Sequence, residues 1–307
     1  MQHVTRDCIS YTFDRNLEPV LRVASGETFV AETEDSREGR TRTPESTTPD
    51  ALRAMREKGY HGNPITGPIF VEGAEPGDTL AVHIEDMQCD TLGYFGHWPF
   101  EHHLTDWIDD PVTGLVDIRD GYVTYDLQPS QGPHPIRLPT QPMIGTIGTA
   151  PEIEIRLSGN TGQHGGNLDS PDVCPGSTVY LPVAVPGAYL FLGDCHARQG
   201  DGEVSGIEMR SRTTLTTTVL KSWTRNQQWI RVETPTHLVT IGCDRPAESA
   251  QWLAVREMIL WLGERYGWTK AEARILLNLA SDLRPGQLLV GLYTMRLLVP
   301  KDQLPSH

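Results

Sequence analysis

Apolar and polar residues alternate along most of the chain with the two-residue period of half-buried strands, and only in the last quarter does the period lengthen to that of a helix. Val20 to Val23 and Thr28 to Glu34 are β-branched and alternating, separated by the turn pair Ser25-Gly26. Ile69 to Glu72 and Thr79 to Glu85 flank the run E-P-G-D, in which Pro76 fixes one dihedral and Gly77 accepts the left-handed one. Further strands are predicted at Tyr122 to Leu127, Thr178 to Val185, Tyr189 to Gly193, Gly206 to Val219 and Gln228 to Glu233. Between these, Arg37 to Asp50 is polar, with Gly39, Pro44 and Pro49, and reads as a surface loop placed to cover or line a site. Ala247 to Tyr266 sets Ala250, Leu253, Ala254, Met258, Trp261 and Leu262 on one stripe, with Gly267 as its cap. Thr269 and Glu272 then form a capping box that opens a second helix, Lys270 to Leu279. The expected class is α+β: mostly β, with sandwich- or barrel-like N-terminal and central β domains and C-terminal helices. The Pro- and Gly-rich run from Pro139 to Pro151 marks a passage between an N-terminal β domain, 1–140, and a β-rich domain carrying the chemistry and the helices, 141–307.

Composition narrows the partners. The 307 residues include 40 acidic against 26 basic side chains, a formal charge of -14, which argues against nucleic acid or an anionic membrane surface. The five cysteines, Cys8, Cys89, Cys174, Cys195 and Cys243, are scattered and odd in number, as reduced thiols are. The opening M-Q-H-V-T-R-D has no apolar signal core, and no stretch approaches the roughly 18 apolar residues of a membrane span, so a cytoplasmic protein is expected. The run M-I-G-T-I-G-T-A-P is Gly-rich but lacks the order and lysine of a phosphate loop.

Chemistry concentrates in two segments. Gly193 to Glu203, G-D-C-H-A-R-Q-G-D-G-E, follows an apolar run and holds two aspartates, a histidine and a glutamate. On an extended strand Asp194 and His196 project to the same side, and Gly200 and Gly202 permit a turn that brings Asp201 and Glu203 back towards them. Carboxylate oxygens with an imidazole suit a divalent ion such as zinc, although the same pattern also describes a solvated Gly-rich hairpin. Gln163 to Asp169, Q-H-G-G-N-L-D, offers His164, Asn167 and Asp169, or simply an Asn/Gly turn. Asp35 ends a predicted strand as either a ligand or a solvated acid. Asn63 and Thr66 are candidates for a pocket lining, and Asp282 ends a helix. Glu208 reads as solvated or Arg-paired, with a supporting role at the site as the alternative. His97, His102 and His103 lie in an aromatic stretch that suits a pocket wall or a subunit contact better than a metal.

Together these segments resemble the acetamidase/formamidase family of metal-dependent amide hydrolases, whose signatures are H-G-G-N-(hydrophobic)-D followed by G-D-x-H-A-x-Q-G-D-G-E. The runs E-T-E-D at 32–35, V-E-G-A-E-P-G-D-T-L, M-I-G-T-I-G-T-A-P and V-R-E-M-I-L-W-L with the helices after it are similar to the family as well. Cys195 and Arg198 stand where the family carries mostly apolar or small residues. The resemblance implies hydrolysis of a small linear carboxamide to ammonia and a carboxylate, in a homo-oligomer of two or more subunits. It implies a divalent ion, zinc first, with calcium or another divalent ion as alternatives, on Asp169, Asp194 and His196, with His164 and Asp35 as further candidates. Glu203 would be the base for water, Asp201 its alternate, and Asn167 a donor to the oxyanion. Two other readings stay open: a cysteine amidase using Cys195, whose neighbour His196 faces the opposite way on a strand, and a non-enzymatic metal- or ligand-binding β protein.

Overall fold

The computed structural model describes residues 1–59, 62–97, 107, 112–221 and 227–305. Nineteen strands of the described residues join in one curled sheet, so the class is mostly β with C-terminal helices, as the alternation predicts. Two long strands form its spine. Thr79–His97 runs antiparallel to Gly206–Leu220 from Leu220↔Thr79 to Glu208↔Tyr94, with bulges at Met209/Ser211 and Thr214/Leu215. Such bulges bend and twist a sheet, which lets it wrap round its own core. Gly206–Leu220 also pairs with Thr28–Thr33, and Ile65–Val71 pairs with Leu190–Gln199, so strands on either side of residue 140 share the sheet.

Alternation decides what the sheet encloses. Ile69, Leu80, Val82, Ile84, Leu190, Leu192 and Leu215 face inward as one apolar core, and each is fully buried. A second cluster joins the sheet to the C-terminal helices. Leu238 of the strand His237–Asp244 and Val299 of Tyr293–Pro300 meet Ala254, Met258, Trp261 and Leu262 of the helix Ala247–Tyr266. Close packing there requires Gly242, because a Cβ would stand 2.1 Å from Ala250 O. The helix ends at Gly267 in the left-handed conformation, and the Thr269/Glu272 box opens Lys270–Ala280 as expected.

Two expectations change. The strand predicted at Tyr189 to Gly193 runs as Leu190–Gln199, because its second half finds a new partner in Gly206–Leu220. The stretch Arg37 to Asp50 is not wholly a surface loop. Arg37 and Thr41 are buried, Pro44–Thr47 is a 3-10 turn, and Pro49–Glu57 is a helix that Thr48 caps by accepting from Ala51 N (3.3 Å) and that buries Leu52 and Met55. Pro49 at its first position is a helix start signal read as a breaker.

Candidate active site

The strand Leu190–Gln199 changes partner in its middle. Up to Gly193 it pairs with Ile65–Val71, and from Cys195 onward with Gly206–Leu220. Asp194 sits between the two ladders, where the sheet edge opens onto a cavity of about 140 Å³. His196 lies opposite Glu208 in register, so both side chains face the same side; Nε2 is 3.2 Å from Glu208 Oε1 and 3.8 Å from Asp194 Oδ1. The turn at 200–205 returns Glu203 to the cavity, and Asp169, just after the short strand Gly165–Asn167, meets it there.

Amides hold these carboxyl groups in place. Asn167 donates from Nδ2 to Asp169 Oδ2, and its Oδ1 accepts from Thr146 Oγ1 (2.6 Å) and from Asn63 Nδ2 (2.7 Å). Asn63 Nδ2 also donates to Asp194 Oδ2 at 3.0 Å. Two glycines allow the approach. A Cβ on Gly145 would stand 2.5 Å from both Asp169 Oδ1 and Asp194 O, and one on Gly206 would stand 2.8 Å from the His196 ring. Backbone strain gathers at the same place. Of eight non-glycine residues with left-handed φ among those described, four are here: Asn63 (45°), Asp169 (44°), Asp194 (54°) and Glu203 (47°). Such conformations cost energy and persist only where the surroundings impose them.

Electrostatically the cluster is unbalanced. Four carboxyl groups face one imidazole, with the buried Arg37 beside Glu208. Burial first, then Glu208, pushes Asp194 well above its ordinary range; burial, then Asp169, does the same to Glu203. Burial raises Asp169 to about 6 against the pull of His196. Burial lowers the affinity of His196 for its proton, but Glu208 outweighs it and lifts the imidazolium to about 10. Glu208 is held down by His196 despite its own burial. Asp169 Oδ1, His196 Nδ1, Glu203 Oε2 and Glu208 Oε2 are buried without a hydrogen-bond partner. Buried polar atoms are ordinarily satisfied, so a cluster of one sign with open lone pairs fits a cation. The ligand atoms form two triads that share His196: Asp169 with Glu203, and Asp194 with Glu208, each with its atoms within 4.8 Å of one another. Oxygen and imidazole donors in such a set suit zinc or a similar divalent ion.

The structure thus brings Asn167, Asp169, Asp194, His196 and Glu203 together, and it places five other predicted residues outside the cavity lining. Asp201 turns away from the cavity to pair with Arg296, whose nearly fully buried guanidinium takes its counter-charge from Asp201 and Asp172. His164 packs edge-on against Phe13 with ring centroids 4.8 Å apart and lines a separate cavity of about 740 Å³ with Arg156 and Trp229. Burial, then Arg156, lowers it to about 3. Asp35 accepts from Arg37 N (3.0 Å) and Gly39 N (2.9 Å), so its carboxylate braces the 35–42 turn. Thr66 donates to Glu32 O at 2.7 Å, away from the cavity, and Asp282 is exposed on a strand. His97 ends a strand, but its side chain and residues 102 and 103 lie outside the described residues.

Cys195 faces the opposite way from His196. It is fully buried, its sulfur accepts from Ser211 Oγ (3.3 Å) and Thr33 Oγ1 (3.5 Å), and burial pushes the thiol to about 12. That is poor geometry and poor acidity for a nucleophile. Sequence reasoning underrated Glu208 and missed Gly145, Gly206, Leu289 and Val290. Glu208 comes opposite His196 only through a bulge between His196 and Arg198; an uninterrupted register from Gln199 opposite Gly206 sets it opposite Ala197 instead.

Comparison with known proteins supplies the context. The sequence model described as the acetamidase/formamidase family matches residues 5–163 and 158–281. An acetamidase from Bacillus halodurans is 34% identical, with 98% of this chain and 97% of that one covered and a TM-score of 0.86. An acetamidase from Yersinia enterocolitica is 31% identical over 99% of this chain and 93% of that one, with a TM-score of 0.86. A formamidase of Methylophilus methylotrophus is 30% identical over 197 residues, 47% of this chain and 48% of its own length. The chain spans about half the length of the curated relatives it matches.

Proposed function

The chain belongs to the acetamidase/formamidase family, and from that premise we propose that it hydrolyses the C-N bond of a small linear carboxamide, releasing ammonia and a carboxylate. The observation that carries the reading is the buried group of four carboxyls around His196 at a small, strained cavity. An amide resists water because its carbonyl is resonance-stabilised and its nitrogen is a poor leaving group. A catalyst must therefore activate water, polarise the carbonyl and protonate the nitrogen.

In this proposal Asp194, His196 and Glu208 hold a divalent ion, zinc by its donor set. When bound, the ion supplies Lewis acidity and makes water more acidic. Glu203, set beside Asp169, is then the group that takes a proton from water and gives it to the departing nitrogen. Asn167 and Asn63 fix the aspartates, and Asn167, which lines the cavity and uses one of its two Nδ2 hydrogens on Asp169, is the donor for the carbonyl oxygen. A reducing, cytoplasmic setting fits the five free cysteines, and no helix among the described residues is long and apolar enough to cross a membrane. A homo-oligomer belongs to the same reading, and light scattering measures it.

The test is ammonia release from formamide, acetamide and longer amides, together with elemental analysis of the purified protein. Turnover with a stoichiometric divalent ion is expected. Failure to release ammonia from any of them would leave the binding-protein alternative.

A further inference from the structure

The cavity beside Glu203 is polar on nearly every side. Besides the ring of Tyr94, its described apolar surface consists of two aliphatic side chains, Leu289 and Val290. Both come from the turn 286–292, between the strands Asp282–Pro285 and Tyr293–Pro300. A turn has no ladder of its own to fix it, and here one buried side chain does that work. Gln287 is fully buried, and its Oε1 accepts from Leu289 N (2.8 Å) and Val290 N (3.1 Å). Its Nε2 donates to Val290 O (3.0 Å) and Leu292 O (2.7 Å), so the amide uses all four hydrogen-bonding positions on this one turn.

The base of the turn is tied to the catalytic segment. Gln287 N donates to Thr294 Oγ1 (2.7 Å), Thr294 N returns to Gln287 O (3.0 Å), and Gly202 N donates to Gly286 O (2.9 Å). Gly202 and Gln287 form a parallel bridge, one residue before Glu203. The aliphatic wall and the proposed proton carrier are therefore held in one register.

We infer that Leu289 and Val290 are the surface against which the acyl substituent of the amide packs, and that Gln287 is the positioning residue that sets them, so that this turn fixes the length of substituent the enzyme accepts. The inference rests on the amide-hydrolase reading. The polar end of a carboxamide belongs with the carboxylates and Asn167. Its alkyl carbons gain only by leaving water for an apolar surface, and the cavity offers that surface chiefly on this side. Val290 is 37% exposed, at the mouth, where a longer substituent must pass.

The experiment measures kcat/KM for formamide, acetamide and butyramide in the wild type, Val290→Ala, Val290→Phe and Gln287→Met. One methylene against an apolar wall is worth roughly tenfold or more in discrimination. Val290→Ala should raise the butyramide-to-acetamide ratio by roughly that factor, and Val290→Phe should shift preference towards formamide. Gln287→Met keeps the volume but loses all four hydrogen bonds; it should raise KM for acetamide more than it lowers kcat and flatten the length preference. If the wild type releases ammonia but both Val290 variants keep its ratios within about twofold, well inside the discrimination expected of a methylene, the inference is overturned and the hydrolase reading stands. If the wild type turns over no amide, both fall together.

Discussion

Beneath the helix Ala247–Tyr266, Arg231 is fully buried against Glu257, with Nε 2.6 Å from Oε1, while Nη1 lies 2.6 Å from Glu264 Oε2. The other oxygen of Glu257 accepts from Gln228 N (3.2 Å) and Trp229 N (3.3 Å), and the guanidinium lies 5.4 Å from the Trp261 ring centroid. The atom left without a hydrogen-bond partner there is a donor, Arg231 Nη2, whereas around His196 four carboxyls face one imidazole and three of their acceptor oxygens have no partner. Both clusters bury charge at large desolvation cost, but in the first two carboxylates meet one guanidinium, whereas in the second four carboxyl groups outnumber the cations beside them, His196 and Arg37. Buried charge alone is therefore a weak sign of function. Excess of one sign, open lone pairs and left-handed φ at the same residues are the stronger sign, and they coincide only at the second cluster among the described residues.

The largest expected effect separates the two clusters by what they do. Glu203→Gln keeps the shape and removes the proposed proton carrier, so turnover should fall by about 10² to 10⁴ while melting temperature and any bound metal stay near those of the wild type. Metal lost along with turnover would make Glu203 a ligand of the Asp169 triad instead. Arg231→Ala is the counterpart. It strands Glu257 in the core, so unfolding free energy should drop by about 3 to 5 kcal/mol, with turnover per folded molecule unchanged. Chemical denaturation and active-site titration read these separately. Equal stability in Arg231→Ala would mean that Glu257 takes up a proton at little cost, in line with the upward push that burial already gives it.

How much of this was legible in sequence depends on whether a residue's partner is local. The face shared by Asp194 and His196 follows from alternation, and the return of Glu203 follows from two glycines. The helix caps at Gly267 and Thr269 are equally local. Glu208 depends on the hairpin register, which shifts at a bulge between His196 and Arg198 that no spacing rule announces. Asn63 reaches Asp194 across 131 positions of chain. Asp201, His164 and Asp35 carry the right chemistry, but Arg296, Phe13 and the backbone of the 35–42 turn claim them. Composition shows which groups are available. Only packing decides which of them are left without a partner.

A smaller effect tests His164, a buried polar residue outside both clusters. Its folded pKa, about 3, lies below the unfolded value near 6.5. The folded state therefore binds fewer protons between those values. Its contribution is fully present above about pH 6.5 and is lost as pH falls towards 3, at no more than about 1.4 kcal/mol per pH unit. Replacing it by leucine should flatten that part of the stability profile, as read by urea denaturation at pH 7, 5 and 4. Profiles that remain parallel would mean that His164 is not kept neutral.

The smallest expected effect concerns Cys195, which lies inside the motif but on the other face of its strand. Two residues of one strand share a face only when separated by an even number of positions, so Cys195 cannot join Asp194 or His196 at the cavity without breaking the ladder to Ile144 and Met209. Its sulfur instead sits among Thr33, Ser211 and the core, where loss of one atom leaves a small void. Cys195→Ala should therefore cost little stability and change kcat by no more than about tenfold, through slight shifts of its neighbour His196. A covalent nucleophile behaves otherwise, because its removal eliminates the reaction path itself. Ammonia release by Cys195→Ala, with metal content measured on the same sample, decides between them: abolished turnover with the metal still bound would move the chemistry from the carboxylate side of the strand to the thiol side.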